Sequence, residues 1–136
     1  MIKKIDHIAI AVKNLAEEIT RYRDVLGLEY LGSEVVASQK VTVAFFKIND
    51  VLIELLEPLT PDSPISQFIE KKGGGLHHLA LEVEDIQGEI NRLQEKNVHM
   101  LDKEPRSGAH HARIAFVHPK SFSGVLFELK QQGDES

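Results

Sequence analysis

Apolar and polar positions alternate through residues 4–12, a stretch rich in Ile, Ala and Val, as expected of a half-buried strand. Asn14 then supplies a helix N-cap, and Leu15, Ile19, Tyr22 and Leu26 recur at helical spacing until Gly27 stops the helix. Three further strand-like runs follow at about 28–36, 41–48 and 51–57. Residues 58–65, with Pro58, Pro61 and Pro64, read as a connector leading to a short helix over 65–71 and then to Gly73-Gly74-Gly75, a flexible hinge. The second half repeats the plan. A strand spans 76–83, Asp85 caps a helix carrying Ile86, Ile90 and Leu93, and strands follow near 98–103, 111–117 and 124–131. The closing Gln-Gln-Gly-Asp-Glu-Ser reads as a frayed tail.

The repetition extends to residue identities. A shift of 71 positions lays His7 on His78, Ala9 on Ala80, Val12 on Val83, Glu18 on Glu89 and Arg21 on Arg92. A shift of 74 lays Ile53-Glu54-Leu55 on Phe127-Glu128-Leu129. The expected fold is therefore α+β, with residues 1–136 forming one domain of two tandem βαβββ modules, about 3–57 and 76–131, joined by a connector over 58–75. One such module leaves a sheet face uncovered, so the two are expected to pack into a cupped, mostly antiparallel sheet around a shared concavity.

Packing explains the repeated alanines and valines, but not the repeated polar residues. His7 lies in phase with Ala9 and Ala11, and His78 with Ala80 and Glu82, so small side chains leave room beside each imidazole. Glu54 sits in Val51-Leu52-Ile53-Glu54-Leu55-Leu56 and Glu128 in Val125-Leu126-Phe127-Glu128-Leu129. Burying a carboxylate in such a run is costly unless it meets a cation or strong donors. Two histidines and two glutamates at equivalent positions of a duplicated unit point to one metal site held by His7, Glu54, His78 and Glu128. Imidazole and carboxylate together suit Co²⁺, Ni²⁺, Zn²⁺, Mn²⁺ or Fe²⁺. Four protein ligands on a six-coordinate ion leave two adjacent positions, suited to a substrate that chelates through neighbouring oxygens. His77, next to His78, points to the other strand face. His99, His110, His111 and His118 fall at strand ends and loops and are not assigned to the metal.

Composition narrows the partners. A net charge of −5 and a pI near 5.8 provide no basic footprint for nucleic acid. The absence of cysteine excludes disulfide and thiolate chemistry. No apolar run approaches the roughly 20 residues that span a bilayer, and the chain enters a strand with no signal-peptide core, so no membrane partner and a cytoplasmic location are expected.

These residues resemble the vicinal oxygen chelate superfamily, and within it the methylmalonyl-CoA epimerases. The resemblance covers nearly the whole chain. It rests on Ile5-Asp6-His7-Ile8-Ala9, Ile53-Glu54-Leu55-Leu56-Glu57-Pro58-Leu59, Ser63-Pro64-Ile65 and Gly75-Leu76-His77-His78-Leu79-Ala80. Glu104-Pro105-Arg106, Phe116-Val117-His118-Pro119-Lys120-Ser121 and Gly124-Val125-Leu126-Phe127-Glu128-Leu129 complete it. The histidine and glutamate positions are shared with glyoxalase I, whereas the Leu-Leu-Glu-Pro-Leu, Gly-Leu-His-His and His-Pro-Lys-Ser stretches are closer to the epimerases. The resemblance implies that His7, Glu54, His78 and Glu128 bind a divalent ion, cobalt foremost, and that a homodimer acts on an acyl-CoA. A glutamate proposed as a catalytic base in some members falls at Val43, so this chain cannot use it.

The implied reaction interconverts the (R) and (S) forms of methylmalonyl-CoA by removing the C2 proton and returning it to the other face through a metal-stabilised enolate. Inversion calls for a base on each face. With Val43 inert, Glu54 and Glu128 are the expected catalytic pair, with Glu57 a lesser relay candidate. Lys120, Arg106 and Arg113 are candidates for the CoA phosphates. The competing readings are lactoylglutathione lyase (glyoxalase I), with the same fold and ligands, and a non-catalytic small-molecule-binding member, which would lack the four ligands. An extradiol-type dioxygenase is disfavoured by the fourth ligand.

Overall fold

The computed structural model describes residues 1–133. Two compact units divide the chain: His7–His77, and Met1–Asp6 together with the residues from His78 onward. The first strand, β1 (Ile2–Ala11), therefore contributes its beginning to one unit and its end to the other.

In the His7–His77 unit the strands lie in the order β2-β3-β4-β1, with β2 at Glu29–Val36, β3 at Val41–Ile48 and β4 at Val51–Pro58. The β2/β3 and β3/β4 pairs are antiparallel, while β1 runs parallel to β4 with Ala9 opposite Glu54. Asn14 is extended and its side chain accepts the Glu17 N–H, which starts helix α1 (Leu15–Thr20). The helix continues as a π-helical turn over Arg21–Val25. Leu15 packs with Val12, Ala44, Phe46 and Leu55, and the rings of Tyr22 and Tyr30 lie 5.7 and 5.3 Å from that of Phe46. Burying Phe46 fully contributes about 1.5–3 kcal/mol. Helix α2 (Pro64–Lys72) is capped by Ser63 and begins on a proline, whose missing N–H costs nothing there. The triple glycine that follows needs the conformational freedom of glycine. Its three residues all have positive φ (82°, 109° and 103°), Gly73 closes α2, and a Cβ on Gly74 would sit 3.0 Å from the Ala11 carbonyl oxygen.

In the other unit the order is β5-β8-β7-β6, with β5 at Gly75–Val83, β6 at Arg106–Ser107, β7 at Arg113–Val117 and β8 at Phe127–Gln131. Here β5 runs parallel to β8 with Ala80 opposite Glu128, and the β6/β7 and β7/β8 pairs are antiparallel. Helix α3 (Ile86–Glu95) starts at Asp85, whose carboxylate accepts the Gly88 N–H. Its apolar face joins Val83, Met100, Ala115, Val117 and Leu129. Each half thus follows the βαβββ plan of an α+β fold, with antiparallel pairs in the majority.

The strand expected near 98–103 does not form. The segment keeps a single bridge, Met100 to Val117. Asp102 is the reason: its carboxylate accepts the Phe116 N–H at 2.8 Å, while the Leu101 and Asp102 N–H groups both go to the Phe116 carbonyl. Pairing resumes only after Pro105, in the two-residue β6. The expected tail is also shorter at its start, because Gln131 belongs to β8; Asp134, Glu135 and Ser136 lie outside the described residues.

Candidate metal centre

In the His7–His77 unit, His7 and Glu54 meet on one face of a parallel strand pair. Ala9, two residues beyond His7, is directly opposite Glu54, and its small side chain lets the imidazole lean along the strand toward the carboxylate. His7 Nδ1 lies 3.1 Å from Glu54 Oε2, with the residues only 3% and 5% exposed.

The other unit builds the same pair from the same parts. Ala80, two residues beyond His78, is directly opposite Glu128. His78 Nε2 lies 3.1 Å from Glu128 Oε1, and the two residues are 8% and 3% exposed. The Phe116 ring meets the His78 imidazole edge-on at 5.2 Å, and the Arg106 guanidinium lies over that phenyl ring at 5.5 Å. The pairs differ in which imidazole nitrogen faces the carboxylate: Nδ1 in His7, Nε2 in His78.

The donor set fits a divalent ion. Each pair belongs to a buried His/carboxylate grouping whose ligand atoms all lie within 4.8 Å of one another. Imidazole nitrogen with carboxylate oxygen matches first-row divalent metals, and adjacent ligands on one ion are separated by about the observed spacing. Buried carboxylates of this kind need positive charge nearby, which an ion would supply.

Other residues singled out in the sequence take different places. Val43 is buried and, with a hydrocarbon side chain, offers no base. The Glu57 carboxylate accepts the Leu15 N–H at 2.7 Å and caps α1. His77 packs edge-on against Phe68. His99 and His118 stack at 4.6 Å, and His118 Nδ1 accepts the Lys120 N–H. His110 and His111 are exposed, each in the left-handed backbone region. Arg106, Arg113 and Lys120 are exposed, and Arg106 also pairs with Asp102 at 3.3 Å.

One pair escaped the sequence reading. Lys130 and Asp6 are both buried, with Nζ 2.8 Å from Oδ2. Lys130 lies in phase with Glu128 on β8, so a cation two residues from a buried carboxylate was the available signal. Its partner, far away in sequence at Asp6, had none.

A family profile described as Glyoxalase/Bleomycin resistance protein/Dioxygenase superfamily matches residues 6–116, and the chain belongs to that superfamily. Within it, the chain is 43% identical over 133 residues to the ethylmalonyl-CoA/methylmalonyl-CoA epimerase of Cereibacter sphaeroides, covering 96% of this chain and 99% of that protein. A solved methylmalonyl-CoA epimerase in complex with methylmalonyl-CoA and NH4⁺ superposes with a TM-score of 0.94 at 37% identity, covering 98% of this chain and 96% of the other. A Streptomyces coelicolor methylmalonyl-CoA epimerase variant in complex with 2-nitronate-propionyl-CoA does so with a TM-score of 0.95 at 37% identity, covering 100% and 99%. These likenesses put the chain in the family of the methylmalonyl-CoA epimerases.

Proposed function

We propose that this chain is a metal-dependent epimerase that interconverts (R)- and (S)-methylmalonyl-CoA. The observation that carries this reading is the duplicated buried His–Glu pair in a chain that is 43% identical, over 96% of its length, to an ethylmalonyl-CoA/methylmalonyl-CoA epimerase. His7, Glu54, His78 and Glu128 are the proposed ligands of one divalent ion, cobalt foremost, with nickel, zinc and manganese as alternatives. Held by these residues, the ion would supply Lewis-acid stabilisation of the negative charge that develops on the substrate's thioester oxygen.

The chain's own part is proton transfer. One of Glu54 and Glu128 takes the C2 proton, and the electron pair left behind delocalises into the thioester carbonyl. The other glutamate returns a proton to the opposite face, so the configuration inverts and no co-reactant is consumed. Arg106, Arg113 and Lys120 are exposed cations available to the CoA phosphates. The reading also carries a homodimer, which family resemblance supports.

The test is proton exchange at C2 of methylmalonyl-CoA, followed by NMR in D₂O with metal-stripped and cobalt-reconstituted protein. Deuterium incorporation with conversion between epimers only in the reconstituted protein is expected. Silence there, with turnover of the hemithioacetal of methylglyoxal and glutathione, would replace the epimerase by a lactoylglutathione lyase.

A further inference from the structure

The unit built on β5–β8 holds a second concavity, of about 410 Å³, between α3 and the sheet. Its walls include Leu81, Leu93, Val98, Val117, Phe127 and Leu129. Phe127 and Leu129 alternate with Glu128 along β8, so this cleft lies on the sheet face opposite the His78–Glu128 pair. It is the open end of the core cluster around Ile86 and Ile90, and its volume falls in the range of small-molecule sites.

The mouth differs in character from the walls. Arg92 and Lys96 stand one helical turn apart on α3 and both border the opening. Glu89 borders it too, but its carboxylate is engaged by Arg92, at 2.9 Å, and by the amino terminus of Met1. Lys96 forms no ion pair among the described residues. In a chain of net charge −5, an apolar slot thus opens beside two cations and one already neutralised carboxylate.

We propose that this cleft binds an amphipathic anion, an unbranched aliphatic chain of about eight carbons with a carboxylate or phosphate-bearing head. The chain lies against Leu93, Val98, Val117 and Phe127, and the head lies at Lys96 and Arg92. A slot without cations would take a neutral apolar ligand equally well, and a cationic mouth without a slot would be ordinary surface charge. The conjunction selects the class. This inference is independent of the reaction proposed above, since the two sites use opposite faces of β8.

The experiment is a titration of the 136-residue chain, as purified, with octanoate, octanoyl-CoA and octanol, read by methyl NMR. Octanoate is expected to shift the methyls of Leu93, Val98 and Val117 saturably, with a Kd on the order of 0.1–1 mM, while those of Val12 and Leu55 stay in place. Saturation by octanoate assigns a free carboxylate, and shifts of the same methyls by octanoyl-CoA alone assign the thioester. Lys96→Glu, a change at an exposed position, should weaken octanoate about fivefold, and Leu93→Trp should abolish the shifts by filling the slot. Octanol binding as tightly as octanoate would overturn the proposal, as would octanoate affinity unchanged in Lys96→Glu. So would ligand-free shifts of these methyls that track protein concentration, because a second copy of the chain would then cover the cleft.

Discussion

Glu57 and Gln131 do the same work in the two halves of the chain. Glu57 accepts the N–H of Leu15 at 2.7 Å, and Gln131 accepts the N–H of Ile86 at 2.9 Å. The 74-residue interval that carries Glu54 to Glu128 also carries Glu57 to Gln131, and the 71-residue interval carries Leu15 to Ile86. In each half, then, the strand that supplies a proposed metal ligand also caps the helix that packs on it. A helix's first N–H groups have no partner within the helix, so each side chain satisfies a donor that would otherwise be left without one.

Glu57→Ala should accordingly destabilise the protein by about 1–2 kcal/mol. Urea unfolding measures the loss, and Glu57→Gln should recover most of it because an amide oxygen still accepts. Cobalt affinity should stay near the wild-type value in both variants. A large drop in affinity with unchanged stability would place Glu57 in the metal site instead.

Glu128→Gln should lower C2 proton exchange by at least about a hundredfold, since an amide neither takes the proton nor carries the charge of a ligand. Full activity in this variant would remove Glu128 from the proposed pair of bases. Exchange of one epimer's proton without inversion would assign Glu128 to a single face.

On the proposed reading, cobalt binds the folded chain alone and stabilises it through mass action. At about one hundred times Kd the gain is about 2.7 kcal/mol, equivalent to roughly 10 °C in melting temperature for a domain of this size. Calorimetry with and without cobalt measures the shift. It should vanish in His78→Ala and in His7→Ala alike if both pairs hold one ion.

The Lys130–Asp6 pair is buried, so removal of either partner takes its ion pair from a charge that water reaches poorly. Lys130→Met should cost about 3 kcal/mol or more, and the double variant Lys130→Met/Asp6→Asn should recover much of that loss. Denaturant unfolding of the four proteins in the cycle gives the coupling. Additive losses would show that the pair contributes through its separate surroundings only.

Glu89 supplies a pH-dependent contribution. The amino terminus hydrogen-bonded to its carboxylate, and then Arg92, hold its pKa below the ordinary carboxylate value despite partial desolvation. A carboxyl whose folded pKa lies below its unfolded one binds fewer protons when folded. Its stabilisation is therefore fully present above the unfolded value and is lost as pH falls through the folded one. The stability difference between wild type and Glu89→Gln should be constant near pH 7 and shrink on acidification below about pH 4.5. A difference that stays constant to pH 3 would contradict this assignment.

Much of the fold is legible in the sequence. The repeat makes His7 equivalent to His78 and Glu54 to Glu128, and polar residues kept at equivalent points of a duplicated apolar strand have no packing reason to be there. Alternation and capping residues located β1, β3, β4 and both long helical segments, since each depends on neighbours a few positions away. Asn14 and Asp85 are found in the capping roles read from their spacing.

What only the tertiary structure decided involves partners distant in sequence. Asp102 turns a predicted strand into a loop by capturing the Phe116 N–H fourteen residues on. Glu57, on the same strand as Glu54, is occupied by a helix end forty-two residues earlier. Lys130 finds Asp6 across 124 residues. Strand register sets each of these meetings, and register is selected by the burial of whole faces rather than by any short run of residues. Sequence alone therefore named the chemical groups and their local elements, while the long-range pairings determined which groups are committed to holding the fold.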